Sequence, residues 1–135
     1  MKYNVNVYQI VLTDSNIASE KGLLFTRTML GSTPSKEEFD SLYDNVISFD
    51  VDGEKCNIND IMEFCEHCFR ILNCWNIDSY EEISNFSIKH QSRSLSVGDI
   101  LEVNNELYLV KMSGFAKFPE EVASDDESIV EFNLC

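Results

Sequence analysis

Seven carboxylates between residues 37 and 54 are the side chains best suited to chemistry, and that chemistry is electrostatic recognition. They are Glu37, Glu38, Asp40, Asp44, Asp50, Asp52 and Glu54. The first four lie on or beside a predicted short helix, and the last three lie on a predicted strand and its turn. Their charges are therefore expected to be held in a fixed array, which can imitate phosphates spaced at one charge per ~1.7 Å of duplex.

The net charge of −14 is concentrated in two blocks of the chain. Residues 37–66 carry a net charge of −9 and residues 118–135 carry −6, whereas residues 1–36 carry +2 and residues 67–117 carry −1. Direct binding of nucleic acid is disfavoured, because phosphate binding needs clustered Lys and Arg. A basic protein partner is favoured, since complementary fields speed encounter. The alternative is that the acidity only keeps the chain in solution.

Cys65-Glu66-His67-Cys68 has the spacing of half a zinc site. No second Cys or His pair follows at the expected distance. On a predicted helix both cysteines fall on the apolar side with Ile61 and Leu72, where a reduced Cys behaves as a small hydrophobe. We predict that both thiols pack in the core and that the chain holds no metal.

The motifs of the common enzyme classes are missing from this sequence. His67 and His90 are the only histidines, both expected to be solvated, and no serine elbow, Cys/His motif or phosphate loop accompanies them. Asp50, Asp52 and Gly53 match only the start of a calcium loop and read better as a turn. The sequence predicts no catalytic residue, no cofactor and no enzymatic activity.

The elements that must position the carboxylates follow from hydrophobic periodicity and turn residues. Asn104-Asn105 suits a tight hairpin between strands at 100–103 and 107–110, with Gly114 breaking the second run. Asn59 is the expected N-cap of the main helix. The remaining predicted elements are strands at 3–12 and 46–51, a short helix after Pro34, a main helix at 60–73, a helical turn opened by Asp78 or Ser79 around 80–83 and an edge strand at 130–134. The stretch 17–31 fits either a strand or a helical turn.

This order predicts an α+β fold, a small antiparallel sheet with one main helix (about 60–73) packed on one face. Residues 1–118 are expected to form a single globular domain, and 119–135 an acidic C-terminal tail that is partly mobile. No apolar run approaches the ~20 residues of a membrane span, and the first residues lack a signal core. A cytoplasmic protein with no membrane partner is therefore expected.

Three blocks of the sequence resemble YodL-like domains and related small proteins of phages and conjugative mobile elements. They are Val7-Tyr8-Gln9-Ile10, Ser94-Leu95-Ser96-Val97-Gly98-Asp99-Ile100, and the set Tyr108, Val110, Gly114-Phe115 and Phe118. The resemblance covers about residues 5–12 and 94–118. It implies an origin in a mobile element, no established catalytic activity and a structural role for the second block.

Charge, size and resemblance together favour one function and leave a second open. The first is a non-enzymatic inhibitor that occupies the nucleic-acid site of a host defence protein, such as a restriction or CRISPR effector. Its partner would be the basic surface of that protein, bound through the seven carboxylates. The second is an accessory protein-binding module whose acidity is only solubilising.

Overall fold

The computed structural model describes residues 2–12, 20–73, 80–90 and 92–119. These residues form six strands, β1 Lys2–Gln9, β2 Asp44–Asp52, β3 Ile83–Ile88, β4 Ile100–Val103, β5 Glu106–Val110 and β6 Phe115–Phe118. They also form four helices, α1 Glu20–Met29, α2 Lys36–Leu42, α3 Gly53–Cys56 and α4 Ile61–Leu72. The strands make one antiparallel sheet in the order β3-β2-β1-β4-β5-β6. The predicted α+β class is confirmed.

β1 lies near the middle of the sheet, and its alternating residues define the two faces. Val5 lies opposite Phe49 of β2 and Val103 of β4, and all three are buried on what we call the first face. Asn6 points to the opposite, second face, where it lies between Ser48 and Glu102. The strict alternation of Val and Asn in β1 therefore separates a core face from a partly polar one.

Helices cover both faces of the sheet, so the prediction of one main helix packed on one face is not confirmed. The helix α4 packs Phe64, Cys65 and Cys68 on the first face. On the second face, Leu24 of α1 and Phe39 of α2 pack with apolar residues of the sheet. Those residues are Ile100, Leu109 and Phe118 of the strands and Ile10, which directly follows β1. The second face is apolar where Ile100, Leu109 and Phe118 lie, so α1 and α2 pack on it there and bury these side chains.

The helix ends follow the capping rules, with one shift from expectation. The α2 helix begins with a capping box, in which the Ser35 Oγ accepts from the Glu38 N–H and the Glu38 carboxylate accepts from the Ser35 N–H. At α4 the N-cap is Asp60, not the expected Asn59, and its carboxylate accepts from the Glu63 N–H at 2.9 Å. An Asp at this position also suits the positive end of the helix dipole.

The hairpin of β4 and β5 has the turn that the sequence predicted. Asn104 and Asn105 both have positive φ angles, 50° and 73°. Two consecutive residues with positive φ match the twist of a two-residue hairpin. Asn104 also ties the turn to β1, since its Oδ1 accepts from the Asn4 N–H at 2.8 Å.

The helical turn predicted around 80–83 is a single hydrogen-bonded turn in the structure, in which the Ile83 N–H donates to the Tyr80 carbonyl at 3.2 Å, and it does not continue into a helix. Residues 81–82 form a turn, and Ile83–Ile88 is the strand β3, paired with β2. A β-bulge interrupts this pairing, and Asn85 within it has a φ of 55°. The bulge breaks the two-residue alternation that predicts a strand, because Ile83 and Phe86 are three positions apart whereas Phe86 and Ile88 are two positions apart.

The stretch 17–31, which fitted a strand or a helical turn, is helical from Glu20 to Met29. Two predictions lie outside the described residues, namely the tail 119–135, apart from Pro119, and the edge strand at 130–134. Within the described ranges, no helix combines the length and the apolar character needed to cross a membrane.

Candidate functional site

The structure divides the seven predicted partner-binding carboxylates between two ends of the sheet. Asp44 begins β2 and Asp52 ends it, which separates their Cα atoms by roughly 26 Å at about 3.3 Å per residue. Glu37, Glu38 and Asp40 lie on α2, next to the Asp44 end. Glu54 lies on α3 at the Asp52 end, and Asp50 lies on the second face near that end. They are not one continuous array.

At the α2 end, basic side chains from the fold neutralise much of the acidic charge. The Arg27 guanidinium lies 2.6 Å from the Glu38 carboxylate, and Lys21 Nζ lies 3.0 Å from the Asp44 carboxylate. Asp40 pairs with Lys36 at 2.7 Å, one helical turn away. The hydrogen bond from the Ser35 N–H, assisted by Arg27, holds the pKa of Glu38 below its usual value. These carboxylates therefore stabilise the fold before they meet any partner.

Asp50 joins three strands through amide side chains. Its carboxylate accepts from Asn85 Nδ2 of β3 at 2.8 Å and from Asn4 Nδ2 of β1 at 3.1 Å. These two bonds lower the pKa of Asp50, with Asn85 as the larger cause. Charge-assisted hydrogen bonds of this kind are stronger than neutral ones. The position of Asp50 in the sheet is thus explained by a structural role.

At the other end, four carboxylates from two segments of the chain converge on a cleft of about 470 Å³. We call this the acidic cleft; its carboxylates are Asp52, Glu54, Glu81 and Glu82, and Lys2, Lys55 and Ser84 complete its lining. The backbone fixes the convergence, since the Asp52 N–H donates to the Glu82 carbonyl at 2.8 Å. The Asp52 carboxylate also caps α3 by accepting from the Glu54 N–H.

The first turns of α4 extend the acidic surface beside the cleft. The Phe64 ring packs on Tyr3, with ring centroids 4.2 Å apart, and Tyr3 lies opposite Val51 at the Asp52 end of the sheet. The exposed Glu63 lies one turn before His67 and thus on the same side of α4. Because His67 contacts Glu82, that side of α4 borders the acidic cleft.

The sequence predicted a solvated His67, but the structure contradicts this prediction. Its Nε2 lies 2.9 Å from a carboxylate oxygen of Glu82, and both side chains are largely buried. The ring also packs edge-on against Tyr80, at a centroid distance of 6.2 Å. The pair connects α4 to the segment that leads into β3. His90, in contrast, is exposed, as expected.

Sequence reasoning did not select Glu81 and Glu82 as candidate site residues, because adjacent acids are common in a chain with 24 of them. Their role depends on the strand β3, which is not among the elements predicted from the sequence. A signal was present: the two acids directly precede a segment, Ile-Ser-Asn-Phe-Ser-Ile, that contains three β-formers and no charge.

The cysteines of α4 belong to the core, as predicted. Cys65 and Cys68 are both 0% exposed. Burial raises the pKa of the Cys65 thiol to about 12 and that of Cys68 well above its ordinary value. Within the described ranges, no three His, Cys, Asp or Glu side chains are grouped so that they could hold a metal ion.

The block around Asp99 forms a buried turn whose contacts are internal to the fold. The Asp99 carboxylate accepts from Gln9 Nε2 at 3.0 Å, from the Ser96 N–H at 2.9 Å and from Arg93 at 2.8 Å. Burial raises the pKa of this carboxyl against the opposing effect of Arg93. The turn therefore locks the loop before β4 onto β1.

Comparison with known proteins finds no family model, no curated protein and no solved structure that matches this chain. The resemblance to YodL-like domains therefore stays a prediction. The acidic cleft and the adjoining side of α4 are the candidate functional site, on geometry alone.

Proposed function

We propose that this chain is a non-enzymatic binding protein whose acidic cleft engages a basic surface of a protein that binds nucleic acid. The observation that carries the proposal is the convergence of Asp52, Glu54, Glu81 and Glu82 on one cleft. In the sequence, the helix α4 separates Asp52 and Glu54 from Glu81 and Glu82, so it is the fold that brings the two pairs of acids together.

The described lining of the acidic cleft contains more acidic than basic residues. Its four carboxylates share the lining with two cations, Lys2 and Lys55. The neighbouring Glu63 is exposed and makes no side-chain hydrogen bond or ion pair with another described residue. Carboxylates gathered on one surface raise the local negative potential, which attracts a basic partner and speeds encounter.

The narrower form of the proposal concerns the identity of the partner. A chain from a phage or mobile element would use this surface to occupy the nucleic-acid site of a host restriction or CRISPR effector. The acidic charge and the resemblance of residues 5–12 and 94–118 support this form. The competing function is an accessory binding module whose acidity is only solubilising; it predicts neither competition with nucleic acid nor a steep dependence on salt.

The test is competition for DNA on purified nucleases. A panel of restriction and CRISPR effectors is loaded with a labelled duplex, and the full chain is added at low and at high salt. We expect the chain to displace the duplex from at least one nuclease at low salt, with the effect lost as salt screens the charges. Displacement from none of them contradicts the narrower form.

Two double variants locate the binding surface. Glu54→Gln with Glu63→Gln removes two charges at the cleft, and Glu20→Gln with Glu37→Gln removes two exposed charges from α1 and α2. Both variants have the same net charge. We expect the cleft variant to weaken binding by about tenfold and the other to leave it within about twofold. The reverse ranking would move the binding surface to the α2 end, and equal losses would indicate an effect of net charge alone.

A further inference from the structure

The strand β3 is an edge of the sheet and is unusually open. Its only neighbour among the described strands is β2. From Ser84 to Ile88 every residue is exposed, including Phe86 at 38% and Ile88 at 63%. In a chain with a net charge of −14, the six residues Ile83–Ile88 carry no charge at all. Such an edge is a template for pairing with another strand.

The backbone of β3 shows which groups remain open. The Lys89 N–H donates to the Val46 carbonyl of β2 at 2.8 Å. Along a strand, the N–H and C=O of one residue point to one side and those of the next residue point to the other side. Counted back from Lys89, the groups of Ile88 and Phe86 therefore point away from β2. The Ile83 N–H donates to the Tyr80 carbonyl at 3.2 Å, so at Ile83 only the carbonyl is available to a new strand. The open edge therefore consists of this carbonyl and the backbone groups of Phe86 and Ile88.

The sequence around this edge is complementary to itself when two copies run antiparallel. Residues 81–90 read Glu-Glu-Ile-Ser-Asn-Phe-Ser-Ile-Lys-His. Placing Ile83 of one copy opposite Ile88 of the other also pairs Ser84 with Ser87. The same register brings Lys89 of each copy opposite Glu82 and beside Glu81 of the other. Apolar, hydroxyl and opposite-charge pairs are the cross-strand pairs that stabilise antiparallel sheets.

The bulge in β3 makes this register possible. Ile83 and Ile88 are five positions apart, so in a regular strand their side chains would lie on opposite faces. Here Ile83 lies opposite Val51 and Ile88 lies opposite Ile47, and both partners are on the first face. The extra residue at the bulge, where Asn85 has a φ of 55°, restores the common face.

We propose that β3 is a homodimer interface, in which two copies pair their β3 edges antiparallel about a two-fold axis to form one continuous sheet. A two-fold contact between identical edges closes on itself, because each copy uses its β3 once. A second copy is the complementary partner for this edge, since its Ile, Ser and Lys residues lie opposite Ile, Ser and Glu residues of the first copy. The proposed interface shares Glu81 and Glu82 with the acidic cleft. The tests below measure dimerisation of the chain alone, so their outcome does not depend on the function proposed for the cleft.

Sedimentation velocity of the full chain over a range of concentrations tests the proposal. We expect the sedimenting mass to rise from that of a monomer to that of a dimer at about physiological salt, which screens the mutual repulsion of two acidic chains. A monomer at every concentration up to the millimolar range would overturn the proposal.

Matched substitutions test the interface residues. Ile88→Lys puts a charge into the apolar pair, and Leu30→Lys makes the same kind of change at another exposed aliphatic residue, 76% exposed. Because each variant side chain occurs twice in the dimer, we expect Ile88→Lys to raise the dimer dissociation constant by about tenfold or more. Leu30→Lys is expected to leave it unchanged. Thermal melts by circular dichroism confirm that both variants fold, and equal dissociation constants for the two would overturn the proposal.

Charge reversal tests the register. Lys89→Glu places a carboxylate opposite Glu82 and beside Glu81, so dimerisation should weaken severalfold. Adding Glu81→Lys restores an opposite charge next to position 89, and the double variant should dimerise more tightly than Lys89→Glu alone. A double variant that is no tighter than the single one would rule out this register.

Discussion

Arg93 Nη1 lies 2.8 Å from Oδ2 of Asp99, whose side chain is only 2% exposed. The guanidinium also stacks over the Phe25 ring of α1, 5.0 Å from its centroid. One arginine therefore neutralises a buried carboxylate and contacts a helix on the second face. Removing one partner of a buried ion pair leaves the other charge uncompensated, which costs more than the pair contributes.

We expect Arg93→Met to lower the free energy of unfolding by about 3 kcal/mol. The methionine keeps the apolar stem over Phe25 but leaves the Asp99 carboxylate without its cation. Urea denaturation measures the loss, and Arg70→Met, an exposed change on α4, serves as the control, with an effect within about 0.5 kcal/mol. Adding Asp99→Asn should recover part of the loss, because the buried charge is then absent.

The loss in Arg93→Met should also depend on pH. Burial already raises the pKa of Asp99 in the folded protein, and removing Arg93 raises it further. The folded state then binds a proton more readily than the unfolded state, so stability falls as pH rises through the folded pKa. The difference between wild type and Arg93→Met should therefore shrink on acidification. A difference that stays constant between about pH 4 and 7 would contradict this account.

Gly98→Ala should be far more disruptive than Gly114→Ala. Both glycines have positive φ angles, 94° and 81°. A Cβ at position 98 would lie 2.6 Å from the Thr28 Cβ, whereas at position 114 the nearest atom is a Glu66 oxygen at 3.9 Å. We expect a loss of about 1–2 kcal/mol at Gly114 from strain alone and about 3 kcal/mol or more at Gly98 from strain and overlap. Equal melting temperatures for the two variants would refute the ranking.

These glycines illustrate what the sequence could and could not predict. Gly114 was recognised as a break because its effect is local, a change of backbone direction between two β-rich runs. The tight packing of Gly98 depends on Thr28, seventy residues earlier in the chain. Local patterns likewise predicted β1, β2, α4 and the Asn104-Asn105 hairpin.

The candidate site was harder to predict because it depends on long-range convergence. Asp52 and Glu54 were selected, but Glu81 and Glu82 joined them only once β3 was seen to pair with β2. The bulge at Asn85 hid that strand from periodicity. The cations that pair with Asp44 and Glu38 are Lys21 and Arg27, which come from α1, a helix in the stretch that the sequence pattern did not resolve between strand and helical turn.

Glu38 and Glu37 are neighbours on α2 with different expected effects on stability. The Glu38 carboxylate accepts from the Ser35 N–H and pairs with Arg27, while Glu37 is exposed. We expect Glu38→Gln to cost about 0.5–1 kcal/mol at neutral pH and Glu37→Gln to cost almost nothing. Urea denaturation of both variants provides the comparison.

The loss of folding stability caused by Glu38→Gln should disappear at acidic pH. The Ser35 N–H and Arg27 lower the folded pKa of Glu38, so its contribution is complete above the unfolded pKa and is lost as pH falls through the folded value. The stability curves of wild type and Glu38→Gln should therefore converge below about pH 4. Parallel curves over that range would show that the effect does not come from the carboxylate charge.

The thiols of Cys65 and Cys68 should resist alkylation in the folded protein, whereas Cys56 should react. Only the thiolate attacks an alkylating reagent, and burial raises the pKa of Cys65 to about 12 and that of Cys68 well above its ordinary value. Cys56 is partly exposed, and its thiol contacts the Gly53 carbonyl at 3.7 Å at the end of α3. Its reaction needs no opening of the core.

Iodoacetamide labelling near pH 8, followed by peptide mass spectrometry, measures each site separately. We expect Cys56 to be alkylated at least about tenfold faster than Cys65 and Cys68, since the buried thiols react only when the protein opens. In about 6 M guanidinium chloride the three rates should become similar, which controls for the intrinsic reactivity of each peptide. Arg93→Met should accelerate labelling of Cys65 and Cys68 but not of Cys56, because it lowers the free energy of global opening. Equal rates for the three cysteines in the folded wild type would contradict the burial of the α4 thiols.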